Sequence, residues 1–295
     1  MNLSVVIPAH GRVELLVSCL RSLNGDVQGD HDCTVCVVDD GSSIDEGYVR
    51  DSVHAACTLI WRAFRSNRGR SAARNEGVRA TTGDIVVFMD SDMEARRGFL
   101  DAHLHWHENH PHTAAIGTII WPKGGGFLRY IGSRGVHKLA SGDPAPPWYF
   151  VTGNASVRRS DLPGEQPFDE GLGGWGGEDQ DLGMRLHAAG IRFARVPEAE
   201  TYHHFEGTLE EHIRRTALYG RNSLPELIRR YPDLRKAVRL DVLDTVVGRI
   251  GVSGPVYSTL YSLARLADRM PLPAKLYDYL TFAAYARGWM EGVRP

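Results

Sequence analysis

Two acidic clusters carry the residue types most able to do chemistry. The first is Asp90-Ser91-Asp92, directly after an apolar run at 84–89. Strand alternation would send both carboxylates the same way. Paired carboxylates offer hard oxygen ligands to Mg²⁺ or Mn²⁺, and such an ion commonly bridges to substrate phosphates. Asp also closes many strands without binding anything. The second cluster is Glu178-Asp179, which follows the glycine-rich Gly173-Gly174-Trp175-Gly176-Gly177. Leu182, Leu186 and Ala189 then recur at helical spacing until Gly190. The acidic pair therefore opens a helix, where the positive end of the helix dipole keeps a carboxylate ionised. The indole of Trp175 is a flat face that could stack on a sugar or a base, and glycines allow close approach to the backbone. An ordinary acidic first turn has the same composition.

Other groups could serve these two clusters. Asp39-Asp40 could accept hydrogen bonds from a nucleobase or ribose, or simply close a turn. Arg68, Arg70 and Arg74 suit a diphosphate, or a solvated basic face. His103, His105, His107, His110 and His112 form a dense run, of which only His103, His107 and His110 share a helical face. A surface position is the simpler reading of that run. His203-His204 differs, since one of two adjacent rings could complete an oxygen/nitrogen ligand set begun by Asp92. Cys33-x-x-Cys36 sits in an apolar run with no second pair, so these cysteines read as buried thiols.

The elements that must position these groups alternate. Residues 3–7, 33–38, 58–64 and 84–89 read as strands, the first and last of them buried, and residues 12–23 and 71–79 read as helices between them. This α/β alternation implies a parallel sheet with right-handed crossovers. Polar residues cluster just past the strand ends: Pro8-Ala9, Asp39-Asp40, Asp90-Ser91-Asp92. That crevice is where open α/β sheets bind ligands. Neither a G-x-G-x-x-G after the first strand nor a G-x-x-x-x-G-K-[ST] is present. Further on, a helix is expected at 97–109, strands at 114–121, 148–151 and 191–196, and an irregular Gly/Pro-rich loop at 122–147. Ser43 with Glu46 and Thr208 with Glu211 read as capping boxes. The chain is expected to be helical from about residue 208, with Tyr257, Tyr261, Leu263, Leu266, Tyr277, Tyr279 and Leu280 on buried faces. That helical extension could pack on the rest of the chain, form a homodimer or lie peripherally on a membrane.

Composition bounds the function. The 42% hydrophobic and 24% charged residues are those of an ordinary globular protein, and a net charge of −2 gives no support for bulk nucleic-acid binding. The N-terminal residues read as a first strand, not a signal peptide, and no apolar run is long enough to span a membrane. Unpaired cysteines fit a reduced, cytoplasmic setting.

Together, Ser4-Val5-Val6-Ile7-Pro8-Ala9, Val38-Asp39-Asp40-Gly41-Ser42, Asn67-Arg68-Gly69 with Ala73-Arg74-Asn75-Glu76-Gly77, and Phe88-Met89-Asp90-Ser91-Asp92 strongly resemble, in that order, the family 2 glycosyltransferases of the GT-A fold. Gly174-Trp175-Gly176-Gly177-Glu178-Asp179 resembles the acceptor-side motif of β-1,4-galactosyltransferases, polypeptide N-acetylgalactosaminyltransferases and bacterial chondroitin polymerases, and Thr201-Tyr202-His203 the metal-binding segment of the last. The resemblance implies a Rossmann-like, mostly parallel sheet in a catalytic domain over 1–207, followed by a helical extension over 208–295. It implies that Pro8, Ala9 and Asp40 contact the nucleotide and that Arg74 lies near its diphosphate. Asp90 and Ser91 would serve the donor side, and Asp92 and His203 would hold Mn²⁺ or Mg²⁺. Trp175 and Glu178 would face the sugar and acceptor, with Asp179 as general base. One displacement with one base would invert the anomeric centre. The expected donor is a UDP-sugar, and the acceptor a glycan, lipid-linked sugar, peptide or natural product. Gln180 stands where the galactosyltransferases carry a further Asp, so the acceptor does not transfer from them. A nucleotidyltransferase-like enzyme and an inactive sugar-binding scaffold are the rival readings.

Overall fold

The computed structural model describes residues 1–24, 32–53, 57–142, 144–172, 175–266 and 272–293. Gly173 and Gly174 of the glycine-rich stretch lie outside the described residues. The chain divides into two compact units. The first comprises Met1–Pro122, Arg134–Glu170 and Glu178–Phe205; the second comprises Lys123–Ser133, Gly171–Gly177 and Glu206–Pro295.

In the first unit the expected alternation is present: β1 (Leu3–Ala9), α1 (Val13–Leu23), β2 (Cys33–Asp39), α2 (Glu46–Ser52), β3 (Thr58–Ala63), α3 (Arg70–Arg79) and β4 (Ile85–Met89). Then come β5 (Met93–Ala95), α4 (Phe99–Asn109) and β6 (Thr113–Ile120). After α5 (Gly126–Ile131), which belongs to the second unit, β7 (Asn154–Arg158), α6 (Glu178–Ala188) and β8 (Arg192–His203) complete it. Among the described residues, eight strands form one sheet in the order β3-β2-β1-β4-β7-β6-β8-β5. Four neighbouring pairs are parallel, and β4–β7, β6–β7 and β5–β8 are antiparallel. The sheet is thus mostly parallel rather than wholly so.

At β1, β2 and β4 both faces of the sheet are covered, which is why those strands are nearly continuous apolar runs, whereas the edge strand β3 has no buried residue. On β1, Val5 and Ile7 pack with Leu16 and Leu20 of α1, while Val6 packs with Val78, Leu182 and Leu186 on the other face.

Several expectations are corrected. Asp45, not Ser43, caps α2, because its carboxylate accepts the Tyr48 N–H at 3.1 Å while Ser43 sits at a left-handed φ of 59°. Residues 122–147 are not wholly irregular: they contain α5 and a 3₁₀ turn at Gly135–Lys138. Pro147–Tyr149 is also a 3₁₀ turn, and the strand lies later, as β7. β8 continues well past Val196 and carries His203 into the sheet. The histidine run is not a surface feature throughout. His103 and His107 are buried, with His103 sharing a hydrogen bond with Asn154 (3.1 Å) and both rings sharing Ser156 Oγ (2.8 Å each). All four cysteines are buried thiols, as expected.

The second unit is helical: α7 (Leu209–Asn222), α8 (Leu224–Arg230), α9 (Leu234–Ala237), α10 (Val246–Gly251), α11 (Gly254–Leu266) and α12 (Ala274–Gly292). Thr208 caps α7 by accepting the Glu211 N–H. Helices α7 and α12 approach closely through small residues: a Cβ on Gly220 would lie 2.2 Å from Tyr285 O, and one on Gly288 2.2 Å from Ala217 O. Tyr277 and Leu280 are buried as expected, whereas Leu263 is 53% exposed. The side chain of Leu266 is outside the described residues. Among the described residues no helix is long and apolar enough to cross a membrane.

Candidate active site

The strand ends of the first unit bring the predicted acids together, and each has a distinct job. Asp39 is the turn acid. It accepts from Ser42 N (3.0 Å), Ser42 Oγ (2.5 Å) and Ile44 N (2.9 Å). Asp40 reaches across instead, accepting the backbone N–H groups of Arg68 (2.6 Å) and Gly69 (2.9 Å). It pins the 67–69 loop to the end of β2, next to Pro8 and Ala9 at the end of β1. Arg68 pairs with Glu170 at 3.2 Å, and Arg70 with Glu178 at 3.1 Å.

The Asp90-Ser91-Asp92 segment does not continue β4. Met93 N–H donates to Asp90 O at 3.1 Å and closes a turn, so strand alternation does not apply. The two carboxylates consequently part company. Asp90 Oδ1 meets Arg74 at 3.0 Å. Asp92 Oδ2 lies 3.4 Å from His203 Nε2 and 3.7 Å from Arg12. The register of β5 on β8, with Met93 opposite His203, sets that second meeting. His204 goes elsewhere, to Glu94 at 2.8 Å. Burial would raise the Asp92 carboxyl, but His203 and Arg12 outweigh it and hold it below the ordinary range.

These residues fit a divalent cation. Two ligands each about 2.1 Å from one ion stand about 3.0–3.4 Å apart. Asp92 Oδ2 and His203 Nε2 have that spacing already. A mixed oxygen/nitrogen pair suits Mn²⁺ better than the all-oxygen preference of Mg²⁺. Among the described residues no group of three His, Cys, Asp or Glu side chains could hold a metal ion.

Arg74 is the centre of the site. Helix α3 buries it between small neighbours, Ala72, Ala73, Asn75 and Gly77. Its guanidinium faces three carboxylates: Asp90 at 3.0 Å, Glu178 at 3.2 Å and Asp179 at 3.5 Å. Glu178 and Asp179 open α6, so the N-terminal end of that helix also favours their charge. Their surroundings separate them. Burial alone would raise Glu178, but Arg70 and Arg74 together hold it low. Asp179 is raised to about 6, first by burial and then by the charge of Glu178, against the pull of Arg74. Thr152 orients it: the hydroxyl donates to Oδ1 at 2.5 Å and the backbone N–H donates to Oδ2 at 3.2 Å. The result is a carboxylate ionised at neutral pH, basic enough to accept a proton, and about one-fifth exposed.

Of the predicted site residues, Pro8, Ala9, Asp40, Arg74, Asp90, Asp92, Glu178, Asp179 and His203 all belong to this unit, with Ser91 in the Asp90–Met93 turn. Trp175 belongs to the second unit, 38% exposed, with the Arg215 guanidinium 4.1 Å from its ring centroid. Sequence reasoning missed Thr152 and Arg12. Nothing in a lone Thr before Gly153 marks it. The bridging role of Arg74 had a signal, a single charged residue among small buried ones in α3.

Comparisons with known proteins show what this chain is similar to. The family model described as Glycosyl transferase family 2 matches residues 4–162, and that of the N-terminal domain of galactosyltransferase matches residues 141–208. The chain is 33% identical over 247 residues to the pre-mycofactocin glycosyltransferase of Mycobacterium tuberculosis, covering 79% of this chain and 48% of that protein. It is 30% identical over 245 residues to the uncharacterized glycosyltransferase YfnE of Bacillus subtilis, covering 65% and 62%. The chain therefore spans about half to three fifths of the length of these relatives. Among solved structures, the mannosyltransferase PcManGT of Pyrobaculum calidifontis, in complex with GDP-Man and Mn²⁺, superposes with a TM-score of 0.66 at 20% identity, over 98% of this chain and 87% of that one. S. aureus TarS 1-349 in complex with UDP-GlcNAc does so with a TM-score of 0.59 at 16% identity, over 99% and 92%.

Proposed function

This chain belongs to glycosyl transferase family 2 and has a GT-A fold, and from that premise we propose that it is an inverting, divalent-metal-dependent enzyme that moves a sugar from a UDP-sugar to an acceptor hydroxyl. The observation that carries the proposal is the Arg74 bridge. One buried cation ties Asp90, beyond the donor-side strand β4, to Asp179, the oriented carboxylate at the start of α6.

Pro8, Ala9 and Asp40 line the nucleotide at the ends of β1 and β2, and Asp90 and Ser91 approach its ribose. Asp92 and His203 are the residues that would hold the ion, and its charge would offset that growing on the departing nucleoside diphosphate. Asp179 takes the acceptor hydroxyl proton as that oxygen forms its bond to the anomeric carbon and the carbon–phosphate oxygen bond breaks. The electron pair leaves with the diphosphate. A single carboxylate base and one displacement invert the centre without a covalent sugar–enzyme intermediate. Thr152 keeps the accepting lone pair aimed, and Arg74 keeps the carboxylate ionised. Trp175 and Glu178 face the sugar and the acceptor.

The proteins of similar fold were seen with both UDP- and GDP-linked sugars, so the test must span both. Incubation with a panel of nucleotide sugars, Mn²⁺ and candidate glycan, lipid-linked and small natural-product acceptors should release UDP, with the product anomer inverted. Release of pyrophosphate would instead indicate nucleotidyl transfer. Absence of turnover with every donor and acceptor would leave a sugar-binding scaffold.

A further inference from the structure

A face of the second unit is built the wrong way round for a helix in water. Helix α10 exposes Val246, Val247 and Ile250 by 72%, 80% and 58%, while its Gly248 is buried. At about 100° per residue, those three side chains share an arc about 100° wide, and Gly248 lies nearly opposite. The packing explains why. A Cβ on Gly248 would stand 2.0 Å from Val242 O, so only glycine lets the helix seat against the turn at Leu240–Asp244. Thr245 caps the helix by accepting Gly248 N–H at 3.0 Å, and Tyr279 donates to Gly251 O at 2.7 Å. The helix is thus fixed at both ends with its apolar face outward.

The charge around this face leans positive, although Asp241 is also exposed just before α10 and Arg265 is paired with Glu210 at 3.6 Å. Residues 245–267 contain Arg249 and Arg265 and no Asp or Glu. Arg249 is exposed on α10 beside the apolar arc, with its Nε–H donating to Leu243 O at 2.8 Å, and Lys236 and Arg239 are exposed just before it. Asp244 is already engaged by Arg235 at 2.7 Å. Half-buried Tyr257 and Tyr261 stack at 5.8 Å on α11, which itself exposes Leu263. Exposed aliphatic side chains flanked by cations and tyrosines match the apolar interior, anionic headgroups and interface of a lipid bilayer. A second copy of the chain is a poorer fit. A six-residue helix falls well short of the roughly 800 Å² per partner that a stable protein interface buries.

We propose that the Val246–Val247–Ile250 face of α10, flanked by Arg249, docks on a bilayer carrying anionic phospholipid. This assignment is independent of the catalytic reading. Flotation of the chain with vesicles of phosphatidylcholine, with and without phosphatidylglycerol, tests it. The chain should float with the anionic vesicles, and added salt should weaken that binding. The pair of substitutions Val246→Ser and Val247→Asp should reduce partitioning roughly tenfold or more, and Arg249→Glu roughly fivefold or more. Both positions of the pair are exposed, so the thermal midpoint should stay unchanged and exclude misfolding. Three results would overturn the proposal: no flotation of the unmodified chain, equal flotation of the Val246→Ser/Val247→Asp variant, or a solution dimer that Val247→Asp dissolves.

Discussion

Replacing Arg74 by Gln should move the pH dependence of transfer upward. Arg74 is 1% exposed, and its guanidinium lies 3.5 Å from Asp179, 3.2 Å from Glu178 and 3.0 Å from Asp90. At an effective dielectric of about 20, one such pair at that separation is worth about 5 kcal/mol before desolvation is counted. Removing the cation disfavours the ionised carboxylates, and Glu178 keeps its ion pair with Arg70 at 3.1 Å while Asp179 keeps Thr152 and only a weaker pull from Arg70. The added proton therefore goes to Asp179. An opposite charge at this range shifts a carboxyl by about 1–3 pH units. Asp179 should then titrate near 7–9 instead of about 6. At pH 7 its ionised fraction would fall from about 90% to between about 50% and 1%, a rate loss of roughly 2- to 100-fold from ionisation alone. The assay is kcat/KM from pH 5 to 9, with nucleoside diphosphate release as readout. The rate should recover at alkaline pH, and Arg74→Lys should lie between the two. Breaking a buried pair also costs about 3–5 kcal/mol, so the chain is assayed below its lowered melting point. An inflection that stays near 6 or moves down would refute the role assigned to Arg74.

Three further outcomes are expected. Thr152→Val removes the 2.5 Å hydroxyl donor to Asp179 but keeps shape, so kcat should fall roughly 10- to 100-fold with little change in KM, by steady-state kinetics. His203→Ala should weaken Mn²⁺ binding in the presence of nucleotide by at least about tenfold while His204→Ala leaves it nearly unchanged, by isothermal calorimetry. Burial lowers His103 to about 4 and His107 to about 3 from 6.5. The unfolded chain binds more protons at these positions, so their contribution is whole above about pH 6.5 and is lost as pH falls toward the folded values. Urea unfolding at pH 5 should therefore show a loss of up to about 2 kcal/mol per histidine relative to pH 7.

Strands β1, β2 and β4 were legible because a sheet covered on both faces needs continuous apolar runs, and Val5, Val6 and Ile7 show both sides of that requirement. The acids beyond those strands were legible because they interrupt such runs. β7 was not, since Asn154 and Ser156 look like loop residues in sequence. Their side chains instead satisfy His103 and His107, and the same pairing turns an apparent surface histidine run into part of the core. The Asp90–Asp92 geometry was misread because alternation presumes an extended strand, and a backbone hydrogen bond from Met93 closes a turn there. His203 over His204 required the β5–β8 register, a long-range pairing with no local sign. Thr152 was hidden for the same reason.

The central claim is that Asp179 is the base. Asp179→Asn keeps the shape of the side chain, its amide oxygen can still accept the Thr152 N–H while its amide N–H donates to the Thr152 hydroxyl, and it removes the capacity to accept a proton. Donor binding by calorimetry and transfer by product analysis, measured on the same preparation with Mn²⁺, separate the two functions. Nucleotide-sugar affinity should stay within about threefold, and transfer should fall by at least about 10²-fold. Transfer persisting at a comparable rate in the Asn variant would contradict the assignment.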